Sequence, residues 1–523
     1  MKNRITVGAI ALLAASNLLI AGGIASATST DYAPELVHTF NTEGGDSVHD
    51  INSLGDTIVF QVGEELWSSD GTDAGTTEIT FPASLDAVDI QHDQWYQYSA
   101  VIGNELYFIG YNNLDDANQI YKTDGTTITQ VTDGAGFSRY WSLVALDGNL
   151  YSWVDNNENN IGSTDIVKIT TTGVITVIDG GNDCWTSTDP TQIQLIGTKL
   201  IYVNDPQENC DYGLYSYDTV LHEITELDGP ANDLYESSDY IDDDNDRFYV
   251  FDGEMYYSAD SAGGGYELFA TNGTANGTRL VSDLTGDDGD SRPSSTGCSF
   301  IPQTLGGNFY FTATTTNRDQ TLFKSNGTDE GTEEAVSTFV GEYPGCDTYS
   351  QPPVLNGKLI IDFYTVDHGY EMYATDGTES GTTLLADINA GSSSSLCWDY
   401  CTAQVKFDDH VFFIADDEAN GDDNQEIWVT DGTSGGTVKV SDFASSQAVG
   451  TVDDAALITA GDNLYVGVDN FAAYGGDDHM SLYKISASGL ANTGADANGT
   501  LWAGFGLLVA GIAVVAVRRR RTT

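Results

Sequence analysis

Basic residues are scarce in this chain. Its 523 residues include 19 Lys+Arg against 79 Asp+Glu, for a formal net charge of −60. A surface so acidic repels nucleic acid and anionic lipid, and this argues against a nucleic-acid partner. Most of the acids are read as solubilising surface charge. Proline (10), methionine (4) and histidine (7) are also few. The histidines, at 38, 49, 92, 222, 368, 410 and 479, show no metal-ligand spacing. There is no H-E-x-x-H and no phosphate-binding loop, and no catalytic residue is assigned. Aromatics are not lacking: 28 Tyr, 20 Phe and 8 Trp exclude chain-wide disorder. Together with 57 Gly they fit a turn-rich β protein.

Long apolar runs occur only at the two ends. Met1-Lys2-Asn3-Arg4 precedes an apolar stretch from about Ile5 to Ile24, which ends in Ala25-Ser26-Ala27. A basic start, apolar middle and small-residue exit form a secretory signal peptide, here residues 1–27. The second run, Leu501 to Val517, would make a helix about 26 Å long, enough to cross a bilayer core. Arg518 to Arg521 follow it, and the basic tail 518–523 is expected on the cytoplasmic side.

Between the main domain and that span, in the linker 489–500, lies Leu490-Ala491-Asn492-Thr493-Gly494. This resembles the LPxTG-type sorting signal of Gram-positive surface proteins, in the LAxTG form associated with class E sortases of actinobacteria. The resemblance implies that a sortase cuts after Thr493 and joins it to cell-wall peptidoglycan. The apolar segment would hold the chain in the membrane before sorting. A Gram-positive, actinobacterial cell surface is the expected location.

Self-similarity dominates the interior. Glu65 to Thr76 reads ELWSSDGTDAGT, and close copies run from Glu267, Thr321, Glu371 and Glu426. Gln119 to Thr126 is a shorter copy, and worn ones begin at Asp165, Gly213 and Ser481. Before each lies a turn followed by an apolar strand, as in Gly103-Asn104-Glu105-Leu106-Tyr107-Phe108. These starts fall near residues 55, 103, 147, 197, 252, 306, 356, 408 and 461, at a spacing typical of propeller blades. The pattern resembles the ELWxxDGT family of extracellular propeller-like repeats, which implies a fold and no single activity.

The residues themselves point the same way. Each unit holds four short β-rich segments, which is one propeller blade. The predicted fold is all-β: a single closed β-propeller over residues 28–488 with nine four-stranded blades, eight being the alternative. The last unit lacks a fourth strand, and Glu35 to Phe40 is a strand without a unit. The N-terminal strand is therefore expected to complete the last blade and remove an exposed edge. Asp70, Asp124, Asn272, Asn326, Asp376 and Asp431 are read as turn residues, because Asn interchanges with Asp there.

In such a ring the one-two and three-four turns share one face, and the longer two-three and four-one connections share the other. Cys184, Cys210, Cys298, Cys346, Cys397 and Cys401 all fall on that second face. In an exported chain they are disulfide candidates. Proximity suggests Cys184–Cys210, Cys298–Cys346 and Cys397–Cys401, with other pairings open. The same face carries Trp95, Tyr96, Tyr140, Trp141, Trp185, Trp398 and Tyr400. It also holds an acidic run in which Asp416, Glu418, Asn420 and Asp422 are candidate calcium ligands. Ile427 stands where a calcium loop of the EF-hand type needs glutamate. These features lead to the expectation of a surface scaffold for binding or adhesion to an extracellular glycan, protein or surface, rather than an enzyme. An extracellular propeller glycosidase or lyase is the alternative.

Overall fold

The computed structural model describes residues 32–487 apart from 42–47, 84, 90–97, 113, 115–116, 134–136, 141–142, 157–162, 181–192, 205–212, 228–248, 261–264, 286–290, 292, 294–301, 315–319, 342–350, 397–403, 418–424, 442–447, 450–456 and 471–478. Nine antiparallel sheets follow one another along the chain and form a nine-bladed propeller. Blade 7 has the plain form: Val354–Leu355, Lys358–Thr365, Gly369–Thr375 and Thr383–Leu384 in sequence order. Blades 2, 3 and 9 add a fifth short strand beside the second.

The second and third strands form the core of each blade because they are apolar on both faces. In Lys358–Thr365 five successive residues are buried, and all seven residues of Gly369–Thr375 are buried. Such strands pack against a neighbour on either side, as a radial stack of sheets requires. The hydrophobic clusters accordingly bridge adjacent blades: Tyr107 and Ile109 of blade 2 pack with Leu150 and Val154 of blade 3. Tyr140 belongs to that cluster and is buried, so it packs rather than presents a surface ring.

The one-two turns use left-handed backbone. Asp147 and Gly148 have φ of 47° and 69°, and Asn356 and Gly357 have 52° and 77°. Two consecutive positive φ values give the hairpin whose twist matches the flanking strands.

Ring closure follows the expected scheme. Glu35–Asn41 pairs antiparallel with His479–Ser486 and becomes the outer strand of blade 9, with Leu36 opposite Tyr483 and Thr39 opposite Ser481. Blade 9 then packs on blade 1. Gly461 N donates to Gly55 O at 3.0 Å, and Phe40 meets Trp67 edge-on at 5.0 Å. His38 Nδ1 lies 2.7 Å from Asp73 Oδ1 in the turn of blade 1. Tyr32, just before the closing strand, is buried against His410 and Phe412 of blade 8.

Among the described residues no helix is long and apolar enough to cross a membrane. Segments 1–27 and 501–517 and the motif Leu490 to Gly494 lie outside the described residues.

Candidate functional site

Two features repeat from blade to blade, one on each face. On the short-turn face, the Asp or Asn of the D/N-G-T step accepts locally. Asp376 Oδ1 takes Thr378 N at 3.0 Å and Thr378 Oγ1 at 2.6 Å. Asn326 Oδ1 takes the equivalent groups of Thr328 at 3.1 and 2.7 Å. The threonine then caps a single 3₁₀ turn, its Oγ1 accepting from Gly381 N at 3.1 Å. Both glycines have a reason. A Cβ on Gly381 would stand 1.9 Å from Asp376 Oδ1, and one on Gly377 would stand 2.1 Å from the Tyr310 hydroxyl of the preceding blade. Asp70, Asp124, Asn272 and Asp431 hold the same kind of turn. Hydroxyl donors lower two of these acids: the Thr72 hydroxyl lowers Asp70, and the Thr126 hydroxyl, with the Thr126 and Thr127 amides, draws Asp124 down to about 2.

The opposite face has a second device, which the repeat pattern alone did not reveal. The leading Glu of the motif is buried in blades 5, 7 and 8, at Glu267, Glu371 and Glu426. Glu267 Oε2 accepts from Leu284 N at 2.8 Å and Ser291 Oγ at 2.7 Å, and Oε1 accepts from Thr285 Oγ1 at 2.7 Å. Glu371 takes Asn389 N at 3.0 Å and Ser395 Oγ at 2.7 Å. Ser441 Oγ donates to Glu426. The donors all lie in the chain leading to the next blade, and two of them continue across it. Ser291 O accepts from Thr314 N of blade 6 at 2.7 Å, and Ser395 O accepts from Asp416 N of blade 8 at 2.8 Å.

Glu267 and Glu371 therefore tie a four-one connection to their own blade and, through Ser291 and Ser395, to the next, while Glu426 holds its connection to its own blade. Blade 2 makes a neutral version, with Gln119 Oε1 accepting from Thr132 Oγ1 at 2.7 Å. Burial pushes Glu371 up to about 7 and raises Glu267, against the pull of their hydrogen bonds. Asp362, buried on the second strand of blade 7, is pushed up to about 6 by desolvation while the Gln404 amide donates to it at 2.9 Å. With no solvent exposure, Glu267, Glu371 and Glu426 hold loops and do not meet a substrate. The sequence signal was present: a motif position that is Glu in four copies, with serine or threonine downstream.

Among the described residues no group of His, Cys, Asp and Glu is arranged to hold a metal. Of the candidate calcium ligands only Asp416 is described; Glu418, Asn420 and Asp422 lie outside the described residues. So do all six cysteines, Cys184, Cys210, Cys298, Cys346, Cys397 and Cys401, and the aromatics Trp95, Tyr96, Trp141, Trp185, Trp398 and Tyr400.

No family model and no curated protein matches this chain. Solved structures do match. The dipeptidyl peptidase 4 of Porphyromonas gingivalis is 10% identical with a TM-score of 0.44, over 77% of this chain and 60% of that one. A prolyl endopeptidase is 13% identical with a TM-score of 0.38, over 71% and 54%. A puromycin hydrolase is 10% identical with a TM-score of 0.36, over 72% and 59%. The chain thus spans under two thirds of the length of these solved chains. At such identities the likeness is one of fold.

These neighbours correct two expectations. The adhesion scaffold and its alternative, a polysaccharide-cleaving glycosidase or lyase, are set aside, as is the preference for a non-enzymatic role. The solved chains similar in fold include ones named as a prolyl endopeptidase, an acylaminoacyl peptidase and a dipeptidyl peptidase.

Proposed function

We propose that this propeller serves peptide hydrolysis, as the part that receives the peptide. The observation that carries the reading is the stitched loop face, where Glu267, Glu371 and Glu426 each hold a four-one connection and the first two connections are bonded on to the next blade. A peptide is flexible, and a receiving surface that is already rigid does not add its own ordering cost to binding. The acidic character of the chain favours peptides with basic residues. The peptidases with a similar fold supply the class of reaction to test. The nucleophile is left unassigned: the G-x-S-x-G match at Gly432 to Gly436 forms the 3₁₀ turn of the repeat motif in blade 8, not the strand-to-helix elbow that exposes a nucleophilic serine.

The test incubates the purified chain with a defined mixture of acidic, neutral and basic peptides and follows each by mass spectrometry. Cleavage or selective retention of basic peptides supports the reading. If every peptide stays intact and unbound, the proposal fails.

Export and anchoring belong to the same proposal. The signal segment 1–27 and the ELWxxDGT-like repeats fit an extracellular protein, and the Leu490 to Gly494 motif fits attachment to peptidoglycan by a sortase. Replacing Thr493 by Ala should release the chain from the wall fraction. Calcium at Asp416, Glu418, Asn420 and Asp422 is a further proposal of this kind. It predicts a rise in melting temperature with calcium that magnesium does not reproduce.

A further inference from the structure

One register position compares all nine blades. Where the second strand pairs with the fourth residue of the motif, the pairs are Val59–Ser68, Tyr107–Lys122, Tyr151–Lys168, Ile201–Ser216, Tyr256–Ala270, Tyr310–Lys324, Ile360–Ala374, Phe412–Val429 and Tyr465–Lys484. Eight blades place at least one large side chain there. Blade 1 alone has Val with Ser.

This position faces the D/N-G-T turn of the next blade. At the 9-to-1 interface a Cβ on Gly71 would stand 2.5 Å from the Tyr465 hydroxyl, with Lys484 Cδ at 3.7 Å. At the 5-to-6 interface the Tyr256 hydroxyl stands 2.3 Å from the same point on Gly327, and Arg279 Nη2 donates to Gly327 O at 3.2 Å. At 4-to-5 Lys199 takes the place, its Nζ donating to Gly273 O at 2.7 Å. At 7-to-8 the nearest atoms to a Cβ on Gly432 are Leu355 Cδ2 at 3.6 Å and Ile360 Cδ1 at 3.7 Å, both from large apolar side chains. At 1-to-2 the nearest atoms to a Cβ on Gly125 are Ser68 Cβ at 3.7 Å and Val59 Cγ2 at 3.8 Å.

The missing bulk leaves a cavity of about 280 Å³ between blades 1 and 2. The hydroxyl residues Thr57, Ser68, Ser69, Thr77 and Thr126 and the acids Asp70, Glu78 and Asp124 line it. Among the described residues no Lys or Arg lines it, whereas the matching turns at Gly71, Gly273 and Gly327 each have a cation from the preceding blade beside them, and those at Gly377 and Gly432 have Tyr310 and Leu355 with Ile360. The Thr72 and Thr126 hydroxyls hold Asp70 and Asp124 below the ordinary carboxylate range, so both stay charged at neutral pH.

We propose that the cavity between blades 1 and 2 is a binding site for a small organic cation: an alkylammonium whose chain occupies the space of the missing tyrosine and whose head group faces Asp70 and Asp124. The inference is independent of the peptidase reading, because it rests on the opposite face and on the comparison between blades.

The probe is n-pentylamine, with n-pentanol as its neutral counterpart, titrated into the purified full chain by calorimetry. Pentylamine should bind saturably and about tenfold more tightly than pentanol, the effect of one charge-assisted contact. The double variant Val59→Tyr/Ser68→Lys rebuilds the pair found in blades 2, 3, 6 and 9 and should abolish binding. Ser68→Lys alone is a gentler plug with the same expected loss. Asp124→Asn preserves the turn, as Asn272 and Asn326 do, and should weaken pentylamine but not pentanol. Equal binding of amine and alcohol would overturn the cationic assignment. No saturable amine binding, or full binding by a folded plugged variant, would overturn the site.

Discussion

Blades 3 and 4 differ from blades 5 to 8 at one turn, and the difference separates what a blade needs from what the ring needs. Blades 5 to 8 join strands three and four through the D/N-G-T step and its 3₁₀ turn. Blade 3 uses Thr170, whose carbonyl accepts from Gly173 N at 2.8 Å and whose Oγ1 accepts from Val174 N at 3.0 Å. Blade 4 uses Asp218, which accepts from Val220 N and Leu221 N, both at 2.9 Å, with His222 at φ 59°. All of these turns combine an oxygen acceptor with a left-handed residue. A blade needs that much and no more. The glycine of the motif has a second task, the close approach of the preceding blade, which Gly173 of blade 3 shares, a Cβ there standing 2.0 Å from Val131 O, and which blade 4 does without. Blades 3 and 4 differ also in exposing apolar residues along their outer edge, where Val174, Val220 and Leu221 are each more than half exposed.

The sharpest way to break this comparison is at Gly377. Gly377→Ala places a methyl 2.1 Å from Tyr310 Oη in a backbone with φ 82° and should cost about 4 kcal/mol in denaturant unfolding. Gly103→Ala has φ 67° but open space, and should cost only about 1 kcal/mol. Equal losses would mean that backbone conformation, not blade contact, selects the glycine.

Next in size is the pH response of the loop clamp. The folded value of Glu371, about 7, lies above its ordinary 4.5. Its contribution is therefore fully present below about pH 4.5 and lost as pH rises through about 7. Glu371→Gln removes the titration, so its stability relative to wild type should rise by about 3 kcal/mol between pH 4.5 and 8. Parallel pH profiles for the two proteins would refute the assignment.

The smallest effects test the acceptor itself. Asp376→Ala should cost about 1 kcal/mol by thermal unfolding, and Asp376→Asn should be nearly neutral, as the natural Asn272 and Asn326 imply. A large loss with Asn would show that the charge matters. In blade 4, Tyr217→Phe removes the 2.7 Å contact to His222 Nδ1 on the exposed rim and should cost under about 1 kcal/mol.

Much of the fold was legible because repetition averages out local ambiguity. Nine turn-plus-strand starts gave nine blades, and a strand left over at Glu35 found the blade that lacked one. The exchange of Asn for Asp disclosed a turn acceptor, since the amide oxygen serves as well as the carboxylate. The functional reading was less legible. Aromatics on the loop face suggested adhesion, yet an aromatic in a propeller has two fates with the same sequence signature. Tyr140 took the packed one.

The sequence by itself determined the architecture of this protein, because blade number, strand order and ring closure follow from periodic hydrophobicity and turn chemistry, which are local. Only the tertiary structure decided which identical motif letters do different work. Glu65 is exposed while Glu371 is buried, and a cavity lies beside Gly125 where Val59 stands opposite Ser68, whereas the Tyr465 hydroxyl closes on Gly71. The physical reason is that burial and void are properties of the neighbouring blade as much as of the residue, and that neighbour lies about fifty positions away along the chain.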